Sequence, residues 1–429
     1  MDPARGGLRQ EGGGLSGTRP AAGFAWRAAV SPVHDAAALR PLLDAYGAAL
    51  RGLGGEACDP GAAPAAAPQA FFVATGGTER QLLDGVPADP RRPMLLIAHP
   101  GHNSLPAALE VLARLRQEGR RGSVCSLRDP GDGEGLARLA EAVCDAAVRH
   151  ALLAARIGLV GEPSDWLVAS APAPATLARV WGPTVVPLPL EPLLADADGA
   201  DTADAEAFAR DFRAGAEAVA GPADADLLAA GRVYARLRGM VDAERLDAVA
   251  VRCFDLVTRR ATTGCLALAR LNDEGVLAGC EGDLPATVTM LWLRRLTGEI
   301  PWMANPARLD PERGLLTLAH CTAPRRLTRT YRLRSHFESG LGVAVQGALG
   351  PGPVTLARIG GVDMERLWAA DAALLRDTDH PDLCRTQVEI EAGREVLADL
   401  LARPLGNHLV LVRGHHAAAL RRWHAAMIG

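Results

Sequence analysis

Met94-Leu95-Leu96-Ile97-Ala98 runs directly into His99-Pro100-Gly101-His102-Asn103-Ser104, and then into a periodic stretch from Leu105 to about Gln117. Five apolar residues in a row, closed by a polar turn, read as a strand buried on both faces. The periodic stretch reads as a helix, with Asn103 or Ser104 as its cap and Pro106 in its first turn. Strand, polar turn and helix, repeated, mark a parallel sheet covered by helices.

Working outward, the same unit recurs. Phe71-Phe72-Val73-Ala74 leads through Thr75-Gly76-Gly77-Thr78-Glu79 into another helix. Upstream, Ala37, Leu39, Leu42, Leu43, Tyr46, Ala49 and Leu50 share one helical face, and residues 54–68, rich in Gly, Ala and Pro, read as a loop. Downstream, strands are expected at 156–161, 182–188, 247–254 and 275–280, with solvated helices and a loop over 191–229. After residue 300 the pattern shifts to short alternating runs, Leu315–His320, Tyr331–His336, Val343–Gln346, Val354–Ile359, Val388–Ile390 and His408–Val412, separated by Gly and Pro. The expected class is α/β: a disordered tail (1–22), a Rossmann-like N-terminal α/β domain with a parallel sheet (23–151), a second such domain (152–300), and a β-rich, antiparallel, barrel-like C-terminal domain (301–429).

Composition narrows the function. At roughly 150 residues per domain, 429 residues suggest about three domains. A net charge of −4 lacks the basic footprint of a nucleic-acid binder. All 46 basic residues are arginine, which excludes Schiff-base chemistry on a lysine and the P-loop lysine. The eight cysteines form no CxxC pair and read as reduced thiols of a cytoplasmic protein. No run of 18 apolar residues suggests a membrane span, and the N-terminal stretch lacks the apolar core of a signal peptide.

The segment richest in chemistry is Gly279-Cys280-Glu281-Gly282-Asp283-Leu284-Pro285-Ala286-Thr287. Glu281 follows a buried strand, Asp283 suits a helix cap, Pro285 suits the first turn, and the helix should stop at Gly298. Glu281 thus falls at the carboxyl end of a strand, where open α/β sheets bind ligands; the alternative is a solvent-facing turn residue. Asn305 lies 24 residues further on, in an Asn-Pro pair that by itself signals a turn. His320 ends one apolar run and His408 begins another. Imidazole and carboxylate suit a divalent transition metal, but without a local HxxxH or HxH such a site must be assembled from distant segments. His99, His102, Asn103 and Ser104 gather at a helix N-terminus, which offers free N–H groups to a phosphate or to sugar hydroxyls. The Thr75–Glu79 loop is not a GxGxxG fingerprint, so a nicotinamide cofactor has little support.

Together these residues resemble the L-fucose/L-arabinose isomerase family, most closely in the C-terminal third. Glu281-Gly282-Asp283, with Leu296-Thr297-Gly298, is similar to the segment carrying the family's first catalytic acidic residue. The position of the second acidic residue is Asn305 here. Gly406-Asn407-His408 resembles the segment of the metal-binding histidine, and His320 the additional histidine of the arabinose branch. The resemblance implies an aldose–ketose isomerase with a divalent metal, usually Mn²⁺. Glu281 would be base and ligand, Asn305 a catalytic or metal-ligand position, and His408 and His320 further ligands. His99, His102, Asn103, Ser104 and Asp283 would contact a monosaccharide substrate. It also implies a homo-oligomer, a trimer or hexamer, in which a neighbour's N-terminal domain closes the pocket. The site is expected between the second and third domains, because Glu281 and His408 fall on opposite sides of that boundary. Asn305 departs from the family, since an amide carries no charge and cannot act as a base. A non-catalytic or altered sugar-binding protein on the same scaffold is therefore the alternative.

Overall fold

The computed structural model describes residues 23–58, 67–195 and 202–429. The tail expected over 1–22 lies outside them. The first sheet is parallel throughout. Its strands run, edge to edge, Gly55–Ala57, Phe24–Ala29, Gln69–Val73, Met94–Ala98 and Gly122–Ser126. The strand Met94–Ala98 is buried along its whole length because both faces are covered. Leu95 and Ile97 join Phe72, Tyr46 and Leu50 on one side, while Met94, Leu96 and Ala98 join Ala108, Val111 and Leu115 on the other.

Two sequence expectations change here. Part of the segment read as a loop, Gly55–Ala57, is an edge strand. The cap of the helix Ser104–Gln117 is not made as expected. Asn103 sits in the left-handed region with no capping bond, and the Ser104 hydroxyl donates instead to the Val73 carbonyl.

The second sheet is also parallel, in the order Leu277–Gly279, Ala248–Val251, Arg156–Val160 and Thr184–Leu188. The chain reverses direction across this sheet between Arg156–Val160 and Ala248–Val251, so the crevice beyond their carboxyl ends is a natural ligand position. The strands after residue 300 close into a six-stranded antiparallel barrel: Trp302–Asp310, Leu315–His320, Thr386–Glu391, Arg366–Asp377, Gly352–Gly360 and Leu409–Arg413. Asn305-Pro306 is mid-strand and not a turn. The register breaks between Pro306 and Arg308, where a bulge accommodates the proline's missing N–H.

One helix joins the layers. Leu284–Thr297 follows the second sheet, packs on the helix Gly133–Ala154 and on the barrel strand Gly352–Gly360, and is buried almost all round. Trp181, Trp292 and Trp423 meet beside it, with Trp292 5.2 Å from each of the other two rings. The Trp423 indole N–H donates to the Asp145 carbonyl at 3.0 Å, which ties the C-terminal helix Ala417–Met427 to the N-terminal half. Among the described residues no helix is long and apolar enough to cross a membrane.

Candidate functional site

Glu281 leaves the strand Leu277–Gly279 with φ +62°, in the left-handed region that a side chain ordinarily avoids. Three backbone contacts hold it there. Its carbonyl accepts from Ser164 N–H at 2.9 Å, its N–H points at Cys253 Sγ at 3.4 Å, and Gly282 N–H donates to Val251 at 2.9 Å. Gly282 has φ +72°, and a Cβ there would stand 2.8 Å from Pro163 Cα. The loop after Arg156–Val160 therefore clamps the Glu281 turn from the adjacent strand end.

Glu281 is 7% exposed. Its Oε2 accepts from the Trp166 indole N–H at 2.6 Å, and its Oε1 lies 3.6 Å from His408 Nε2. His408 is fully buried at the entry of the barrel strand Leu409–Arg413, and its Nδ1 is 2.8 Å from Asp283 Oδ2. An ionised carboxylate only accepts, so Nδ1 carries a proton and Nε2 keeps its lone pair on the side of Glu281. Nε2 has no hydrogen-bond partner.

His320 closes the set from the barrel strand Leu315–His320. Thr322 offers its Nδ1 a hydroxyl at 2.6 Å and a backbone N–H at 3.3 Å. Glu281, His320 and His408 each present one ligand atom, all within 4.8 Å of one another. Asn305 lines the same cleft, and its buried Oδ1 also lacks a partner. Two orphaned donor atoms beside a carboxylate and a second imidazole make a donor set of the kind that holds a divalent transition metal.

The electrostatics follow from burial and partners. Burial penalises charge on Glu281, but His408 and the Trp166 N–H outweigh it, and the carboxyl sits below its ordinary value. Burial would likewise lower His408, but Asp283 and Glu281 raise it. For His320, burial and then the neighbouring His408 ring push the pKa down to about 4, so the ring is neutral near pH 7, as a ligand must be.

Asp283 was expected to touch substrate. It is instead fully buried, with both oxygens engaged. Oδ1 accepts from Ala286 N–H at 2.8 Å and Arg358 Nη2 at 3.2 Å; Oδ2 accepts from His408 and from Arg358 Nη1 at 2.8 Å. Burial opposes its charge, yet Arg358 and His408 hold its pKa at about 2. Arg358 also donates to Ser170 Oγ at 2.7 Å.

His99, His102, Asn103 and Ser104 do not line this cleft. They stand at the carboxyl end of the first sheet. His99 is buried, its Nε2 3.0 Å from the Ala74 carbonyl, and its ring lies near Phe72 and Tyr46. His102 and Asn103 are exposed.

Stretches of the chain resemble sulfoquinovose isomerases. It is 27% identical over 189 residues to those of Priestia aryabhattai and Priestia megaterium, covering 41% of this chain and 41% of each relative. It is 28% identical over 130 residues to that of Alkalicoccus urumqiensis, covering 29% of each. The chain therefore spans about two fifths of the length of the two Priestia relatives. The likeness is to sugar isomerases, and none of these relatives is a fucose or arabinose isomerase by name. No family model matches the chain.

Several cleft residues carry no motif in the sequence. Thr263 and Phe254 line it, beside His336 and Glu338 of the polar stretch Arg334–Ser339. Trp166 lies in a loop of mixed polarity and meets Glu281 only through the fold. Arg358 did leave a trace, as an arginine inside the apolar run Val354–Ile359. A charge on the inward side of a strand needs a buried partner.

Proposed function

We propose that the protein is an aldose–ketose isomerase acting on a monosaccharide with the help of a divalent metal, Mn²⁺ being the first to test. The observation that carries this reading is the convergence of Glu281, His320 and His408, with His408 Nε2 left without a hydrogen bond. The partial likeness to sulfoquinovose isomerases supports the reaction class. The residues fit a metal: Glu281, His320 and His408 would hold it, with the Asn305 amide oxygen as a neutral fourth donor. Bound there, a divalent cation supplies Lewis-acid stabilisation of negative charge on neighbouring sugar oxygens.

The protein's own groups do the rest. Glu281 is the base that takes a proton at one carbon of the open-chain sugar and returns it at the next, work typically worth about 10²–10⁴-fold. The Trp166 N–H fixes Oε2 of that carboxylate, and Asp283 fixes the tautomer and plane of His408. Eight free cysteines support a reducing, cytoplasmic location. The same reading carries a homo-oligomer, a trimer or hexamer, in which His99, His102, Asn103 and Ser104 approach a neighbour's substrate; sedimentation measures the subunit number.

The test is incubation with Mn²⁺ and a panel of aldoses, including L-fucose, L-arabinose and sulfoquinovose, with ketose followed by NMR. Interconversion of at least one sugar, abolished by EDTA and restored by Mn²⁺, is expected. No turnover across the panel would overturn it. Asn305 favours the second reading, a sugar-binding protein without turnover, because the amide brings neither charge nor basicity. Sugar binding unaffected by Mn²⁺ or by Glu281→Gln would select that reading.

A further inference from the structure

Five of the eight cysteines line the Glu281 cleft: Cys253, Cys265, Cys280, Cys321 and Cys384. Two of them face each other directly. Cys253 follows the strand Ala248–Val251 and Cys280 follows the neighbouring strand Leu277–Gly279, whose register pairs Ala250 with Gly279. Their sulfurs are in contact at 2.7 Å, each residue is buried, and each has a face on the cleft. Adjacent strand ends bring Cα atoms within the span that a disulfide bridges. Neither sulfur has a role in the isomerase reading, yet Cys280 immediately precedes Glu281 and Cys253 Sγ receives the Glu281 N–H.

We propose that Cys253 and Cys280 form a reversible disulfide beneath Glu281, and that the oxidised form binds metal poorly. The oxidant is a hydroperoxide small enough to enter the cleft, whose lining includes both cysteines. One sulfur attacks the peroxide O–O bond, giving a sulfenic acid and, from hydrogen peroxide, one water. The second thiol attacks that sulfur; the S–S bond forms, the S–O bond breaks, and the hydroxyl leaves with the remaining thiol proton as a second water. Two thiols lose two electrons and the peroxide gains two. A dithiol reverses the bond by exchange. The bond draws Cys253 away from the Glu281 N–H and pulls on the residue that sets the left-handed Glu281 turn. Metal ligands tolerate displacements of only about half an ångström. The disulfide rests on the cysteines alone; its effect on metal rests on the reading of the previous section.

The test treats full-length reduced protein with hydrogen peroxide, alkylates it, and digests it with trypsin. Cleavage after arginine places Cys253 in peptide 253–259 and Cys280 in 271–294, apart from Cys265 (261–270), Cys321 (314–325) and Cys384 (377–385). Peptide 253–259 joined to 271–294, lost on dithiothreitol, is the expected product. Recovery of both peptides only as alkylated thiols, or linkage of Cys321 to Cys265 or Cys384 instead, would overturn the proposal. Calorimetric titration with Mn²⁺ reads the second half. Oxidised protein should bind at least tenfold more weakly than reduced, while peroxide should not change the Mn²⁺ affinity of Cys253→Ala or Cys280→Ala. A linked protein with undiminished affinity would refute the coupling. Absence of Mn²⁺ binding by reduced protein would sink the metal reading, and with it the coupling, while the peptide map still decides the disulfide.

Discussion

Replacing Asp283 with alanine should separate two consequences of one carboxylate. In the native protein Asp283 pairs with Arg358, which is itself 1% exposed. Removing one member of such a pair strands the other's charge in the core, at about 3–5 kcal/mol. The same substitution removes the cap of the helix Leu284–Thr297, which adds about 1 kcal/mol. Loss of the group orienting a histidine ligand weakens metal binding typically about 10–100-fold. Urea unfolding followed by circular dichroism reads the first quantity and Mn²⁺ titration the second. In the double variant Asp283→Ala/Arg358→Met the stranded charge is gone, so much of the stability should return while the metal affinity should not. Asp382→Ala provides the contrast. Asp382 also receives two hydrogen bonds from one guanidinium, that of Arg308 at 2.7 Å, but on the surface, and its loss should leave the unfolding curve where it was. A single Asp283 variant within 1 kcal/mol of the wild type, or a double variant that regains both stability and metal affinity, would refute the reasoning.

Three further outcomes are expected. Glu281→Gln should lower isomerase turnover by about 10²–10⁴-fold with unchanged circular dichroism, as measured on whichever sugar of the panel is converted. Gly282→Ala should lower the urea midpoint, because its Cβ would meet Pro163 in a left-handed turn that already costs a side chain roughly 1–2 kcal/mol; an unaltered midpoint would show that the clamp is loose. Acid should weaken the fold in a definite window. Asp283 titrates at about 2 in the folded chain against an ordinary 3.8, so between those values the unfolded chain binds more protons. Its contribution is therefore complete above about pH 4 and is lost as pH falls towards 2. Unfolding midpoints measured across that range should fall less steeply in Asp283→Ala than in the wild type.

Local pattern made much of the architecture readable. Met94–Ala98, flanked by a polar turn and a helical period, could hardly be anything but a doubly covered strand, and Val354–Ile359, set off by Gly and Pro, is a barrel strand as its short apolar run suggests. The strand Phe24–Ala29 escaped because Arg27 interrupts its apolar run, although it pairs with two neighbours inside the sheet. Asn305-Pro306 misled for a related reason. The pair carries turn chemistry, and only the bulge beside it explains how a strand tolerates it. In the site, Glu281 and His408 stood out through their positions at strand ends. Their meeting, and the engagement of Asp283 by Arg358, Ala286 and His408 together, depend on contacts between segments more than 70 and up to 127 residues apart. No local period encodes such distances.

The four hydrogen bonds on Asp283 come from a helix end, an arginine of one barrel strand and a histidine at the mouth of another. A barrel docked one register out of place would leave an ionised group in an apolar seam with nothing to answer it. Misassembly is thus penalised at the very spot where reactivity is built. A molecule that completes its fold has, by the same event, proofread its working centre.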